Sequence, residues 1–174
     1  MDRLEALLGE VAAPDGDGLR LTGTAVPYGV VGYPSLNDKG AAVRIQPGAF
    51  TGRMDGAELR VMHQRSELPI AAHPAGGLTL TDGAQSLELA AELADTAAAR
   101  DVVALARSGV PLGLSVEADV LEASNVAGVR VVTAARLTAI AVVSRPAWRD
   151  ATLQAEHARR QASGDALREL ADVL

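Results

Sequence analysis

Apolar and polar residues alternate with a period of two through much of the chain, which predicts strands. "LRLTGTAV" has this pattern, as do "AELRVMHQ", "GLTLT" and "QSLELAAEL", and turn clusters such as "AAPDGDG", "AGG" and "TDGA" punctuate them. "VRIQ" and "LPIAAH" read as shorter strands, the first closed by "PGAF", which suits a turn into a helical start. In "VPLGLSVEADV", residues 110–120, Leu112, Leu114, Val116, Ala118 and Val120 share one face; Gly113, Ser115, Glu117 and Asp119 share the other. "VRVVTAARLTAIAVVS" is mostly apolar, long enough for one bent strand or two strands buried on both faces, and Pro146 ends it.

The period changes to that of a helix in a few places. In "DTAAARDVVALARSG", Ala99, Val102, Val103 and Ala106 recur at i, i+3, i+4 and i+7; Asp95 or Thr96 can cap the start, and Gly109 suits the residue just past the end. "MDRLEALLGEV" places Leu4, Leu7, Leu8 and Val11 on one helical face. Two further helical pieces, "WRDATLQAEHARRQA" and "GDALRELADVL", close the sequence. The expected organisation is an N-terminal helix and turn over 1–15, a barrel domain over 16–152 and a helical tail over 153–174. About seven strands, one internal helix and peripheral helices predict an α+β fold, a β-barrel wrapped by helices.

Composition narrows the chemistry. A chain of 174 residues is the size of one domain, and its 48% hydrophobic content is almost all aliphatic. No cysteine is present, which excludes a disulfide framework, a thiolate metal site and a cysteine nucleophile. The net charge of −6 argues against a nucleic-acid surface. No apolar run is long enough to span a bilayer, and the N-terminus does not have the pattern of a signal peptide, so the expected compartment is cytoplasmic.

The three histidines, His63, His73 and His157, lack metal-ligand spacing, and the carboxylates around them do not cluster, so neither a metal nor a cofactor is expected. His73 lies in a turn and His157 among arginines on a charged helix. His63 ends the strand "ELRVMHQ" on the face of Leu59 and Val61, where spacing alone describes a core or rim histidine satisfied by a hydrogen bond. "GLSVE" is half of a Gly-x-Ser-x-Gly elbow, with Glu117 where the second glycine belongs, and it lacks the strand-to-helix turn. On spacing alone Ser115 is a structural strand residue.

The ordered set "GTAVPYGV", "IQPGAF", "LRVMHQ", "LELAAELADTAAARDVVALARSGVPLGLSVEA" and "IAVVSRPAWRDA" resembles the capsid maturation (prohead) proteases of tailed DNA phages, over roughly residues 19–152. These are serine proteases similar in fold to the herpesvirus assemblins, which implies an assemblin-like barrel. The resemblance implies a catalytic pair, with His63 as general base and Ser115 as nucleophile. One feature departs from the pattern: the strand before the R-P-A element often carries an acid in the family, and here "LTAIAVV" offers only Ala139 and Ala141. Glu117 is the candidate substitute, its Cα about 7 Å from that of Ser115 along the strand.

The function so implied is a serine endopeptidase inside a phage procapsid in the host bacterial cytoplasm. Its substrates would be the major capsid protein and scaffold segments, with self-association and self-cleavage of the tail also expected. The alternative is a protease-fold scaffold protein in capsid assembly that has lost its third catalytic member.

Overall fold

The computed structural model describes residues 3–5, 11–12, 19–33, 42–64 and 66–144. Their strands form two sheets. In the seven-stranded sheet, β1 (Arg3–Glu5) pairs with β10 (Gly113–Val126), and β10 pairs with β11 (Val129–Val143). The other edge of β11 is shared end to end. Its first half runs parallel to β5 (Ala42–Ile45), which is flanked by β4 (Val31–Gly32). Its second half runs parallel to β6 (Glu58–Val61), which is flanked by β7 (Ala71–Ala72). The four-stranded sheet has the order β2 (Val11–Ala12), β3 (Arg20–Pro27), β9 (Ser86–Glu92), β8 (Leu78–Asp82).

The core is aliphatic and draws on both sheets. Leu21, Leu78 and Leu87 of the smaller sheet are fully buried, as are Ile45, Leu59, Leu114, Leu137 and Ile140 of the larger one and Phe50 of the "PGAF" turn. The turn consists of successive backbone bonds, Ala49 N–H to Gln46 O and Thr51 N–H to Gly48 O, and does not continue into a helix.

Helix α1 (Ala97–Arg107) follows β9. The Thr96 side chain caps it by accepting from Ala99 N–H at 3.2 Å, and Ala99, Val102 and Val103 are buried. Its end carries paired bonds from Gly109 N–H to Ala106 O and from Val110 N–H to Leu105 O, with Gly109 at φ +79°. That closing geometry needs a left-handed residue, which glycine supplies without a Cβ clash.

Three expectations change. Among the described residues the strands divide into two sheets and no closed barrel forms; β10 fills one edge of β11 and β5 and β6 share the other, so β11 has no edge left for the smaller sheet. Among the described residues α1 is the single helix, so wrapping by helices is not seen; the tail over 153–174 lies outside them. Where the segment expected as an N-terminal helix is described it forms strands, Arg3–Glu5 and Val11–Ala12, with Leu4 opposite Ala118 and Glu5 opposite Glu117. A short helix is marginal by itself, whereas the edge of β10 offers unpaired backbone groups to a strand.

A hydrogen-bonded cluster ties the end of the smaller sheet to the turn between β5 and β6. Tyr28 donates its hydroxyl to Asp82 Oδ1 at 2.5 Å, and Thr51, beyond "PGAF", donates to Asp82 Oδ2 at 2.6 Å. Burial, and then the Asp82 carboxylate, raise the Tyr28 phenol well above its ordinary value of 10.0. The folded protein therefore keeps this proton where the unfolded chain releases it. The resulting stabilisation is complete below about pH 10 and is lost as pH rises further. Tyr28→Phe should cost about 1.5 kcal/mol near pH 7. Between pH 9 and 11 wild-type stability should fall towards that of the variant; parallel urea-unfolding curves across that range would refute the linkage.

Candidate active site

The first half of β10 is buried on both faces. Leu114, Val116 and Ala118 face the core, and on the opposite face Ser115 is 3% and Glu117 1% exposed. Ser115 is thus not the solvent-facing strand residue that alternation alone allows. Its Oγ is buried and finds no hydrogen-bond partner among the described residues. An unpaired buried hydroxyl costs about 1–3 kcal/mol, a penalty that folding alone gives no reason to retain.

The register across three strands organises this face. Ser115 pairs with Ala141 and Ala141 with Arg60; Glu117 pairs with Ala139 and Ala139 with Glu58. Paired residues project to the same side, so Ser115, Glu117, Arg60 and Glu58 share it, with the two alanines between them. Glu58 and Arg60 form an ion pair on β6, Arg60 Nε lying 2.7 Å from Glu58 Oε2.

His63 reaches this face from just beyond β6. Its Nδ1 lies 3.0 Å from Glu117 Oε1, with the imidazole 34% exposed and the carboxylate nearly sealed. With an ionised carboxylate, which can only accept, a neutral imidazole making this contact carries its proton on Nδ1 and leaves the lone pair on Nε2. The contact passes over β11, where Ala139 and Ala141 project only a methyl group each.

The expected position of His63 on the face of Leu59 and Val61 is therefore corrected. Leu59 is fully buried in the core, but β6 ends at Val61 and the alternation ends with it. Met62 has φ +55°, the left-handed region, and its N–H still donates to Val142 O at 2.9 Å. The chain reverses at Met62, and the next side chain meets Glu117. Nothing in "LRVMHQ" signals this, because methionine has no preference for left-handed backbone.

Of the other histidines, His73 bonds through Nδ1 to Leu78 O at 3.0 Å, the role of a loop-fixing residue, and His157 lies outside the described residues. No cluster of three or more His, Asp or Glu among the described residues is arranged to hold a metal ion. No helix among them is long and apolar enough to cross a membrane. A surface depression of about 270 Å³ lined by Gly52, Arg53, Asp55, Leu121 and Arg136 includes none of the site residues.

The face thus brings together a buried strand serine without a partner among the described residues and a histidine in contact with a buried carboxylate, groups that can take part in acyl transfer. The model of the caudovirus prohead serine proteases matches residues 11–165, and the chain belongs to that family. Among solved structures the bacteriophage T4 capsid assembly protease, gp21, is similar, with a TM-score of 0.53. The two are 12% identical, over 84% of this chain and 100% of that one, so the likeness is one of fold. No curated protein matches the chain.

Proposed function

We propose that this prohead protease family member is an active serine endopeptidase with Ser115 as nucleophile, His63 as general base and Glu117 as the acid that orients the base. The observation that carries the reading is the 3.0 Å contact between His63 Nδ1 and the buried Glu117 carboxylate. It fixes the tautomer with Nε2 free to take a proton and stabilises the imidazolium once it forms. His63 Nε2 takes the proton from Ser115 Oγ as the oxygen attacks a peptide carbonyl carbon. The imidazolium then gives that proton to the departing amine, leaving an acyl-enzyme on Ser115. Water, deprotonated by His63, hydrolyses the ester and restores the serine. The hydrogen bond between His63 and Ser115, absent in the free protein, forms as substrate enters, in line with the looser geometry of unliganded sites.

The substrates in this reading are segments of the scaffold and the major capsid protein within the procapsid, in the host cytoplasm, together with the chain's own tail. Glu117 takes over the part that an acid on β11 plays elsewhere in the family, one strand across. The second reading, an inactive scaffold protein with a protease fold, draws on the burial of the unpartnered Ser115 Oγ. A fluorophosphonate probe separates the two. Active protein is labelled on Ser115 and Ser115→Ala is not, whereas folded wild type that resists the probe leaves the scaffold reading standing.

A further inference from the structure

The region around His63 contains a feature that the triad reading does not use. Two non-glycine residues among the described ones have positive φ, Met62 and Ala127. Ala127 sits in the turn of the β10–β11 hairpin, where φ near +52° beside Gly128 at +80° is the ordinary geometry of a two-residue connection. Met62 is not in such a two-residue turn. It opens the longer connection from β6 to its antiparallel neighbour β7, the residue is 43% exposed, and it precedes the histidine. An exposed methionine gains little by adopting a backbone conformation that L-residues avoid, and strain of this kind persists where surrounding structure enforces it.

Two bonds enforce it, one on each side. Met62 N–H continues the ladder of β6 to Val142 O, so the strand is anchored up to that atom. One residue later His63 Nδ1 is held by Glu117. Between them the side-chain direction must pass from the core face of Leu59 to the face shared by Ser115 and Glu117. The left-handed φ of Met62 supplies the backbone part of that turn, ahead of the torsions of His63 itself.

We infer that Met62 is a positioning residue for the base, acting through its backbone: its left-handed conformation aims His63 at Glu117 and Ser115, and its side chain is dispensable. The inference rests on the proposed roles of those three residues, but its geometry can be read without activity. Asparagine and glycine accept left-handed backbone readily, whereas the β-branched valine strongly resists it.

The test compares Met62→Asn, Met62→Gly and Met62→Val in the full chain by three measurements. Nitrogen–proton correlation spectra report the His63 tautomer, and with three histidines in the chain its signals can be assigned. Fluorophosphonate labelling reports attack by Ser115, and the melting temperature reports folding. The Asn and Gly variants should keep the Nδ1–H tautomer, label within about threefold of wild type and melt no lower, because strain is relieved. The Val variant should lose the uniform tautomer and label at least about tenfold more slowly, since a misaimed base no longer acts in the transition state; peptide cleavage should show this in kcat more than in KM.

The inference is overturned if Val matches Asn, or if Asn and Gly fail as Val does, which would assign the role to the thioether side chain. If Val does not fold, the Gly and Asn pair decides: a preserved tautomer with an equal or higher melting temperature supports the inference, and a fall of several degrees overturns it. Wild type that never labels but shows the tautomer pattern defeats the protease reading and leaves the positioning role intact.

Discussion

Ser115→Ala should abolish proteolysis while leaving the fold intact. The substitution removes one oxygen from a buried strand position where that oxygen has no hydrogen-bond partner among the described residues. Stability should hold or rise slightly, because an unpaired buried hydroxyl is lost and only a small void remains. Activity should fall by on the order of 10³-fold or more, the loss expected when the nucleophile of an acyl-transfer enzyme is deleted. Co-expressed with its capsid protein and scaffold, wild type should yield shortened substrates and a shortened form of itself, and Ser115→Ala only full-length chains. His63→Ala should give the same result, and the double variant should be no worse than either, because the two residues act as one unit. Identical full-length products from wild type and Ser115→Ala in assembled capsids would defeat the enzyme reading.

Glu117→Gln should produce the next largest effect. Glutamine keeps the length and nearly the volume of the buried side chain, so core packing is undisturbed. It removes the charge that stabilises the imidazolium, and its amide can turn an N–H towards Nδ1 and impose the wrong tautomer. The expected loss is about 10²- to 10⁴-fold in kcat, with KM little changed. Stability should move little, since the desolvation of a 1%-exposed carboxylate offsets much of its attraction for the imidazole. Unchanged kcat in the folded variant would mean that His63 and Ser115 work as a dyad. The neighbouring Glu58–Arg60 pair supplies a control. Glu58→Gln removes a carboxylate from the same sheet face but not from the imidazole, so it should spare the tautomer of His63.

Local pattern was enough wherever a structural choice depended on near neighbours. Alternation in "GLSVEAD" sorts the residues of β10 onto its two faces correctly, because strand side chains alternate whatever lies across from them; that both faces are buried it does not tell. Thr96, the buried Val102 and Val103, and Gly109 mark α1 for the same reason, since caps and helix faces are set within a turn or two of chain. The family's ordered motifs were legible too: the resemblance implied His63 and Ser115 as a pair, and the lack of an acid in "LTAIAVV" left Glu117 as the candidate substitute.

Tertiary structure decided the remainder. The division of the strands into two sheets depends on which edge of β11 receives β5 and β6, a pairing between segments far apart in sequence. The strand at Arg3–Glu5 forms because β10 presents an edge, and no helical periodicity in the N-terminal segment can report that. The meeting of His63 with Glu117 has the same origin. It requires β6, β11 and β10 in one register, two alanines low enough to be crossed, and a left-handed Met62 to change the face on which the histidine lies. Alternation assigns His63 to the core side because it assumes that the strand continues. The backbone stops alternating at Met62, under constraints from Val142 and Glu117 that come from other strands.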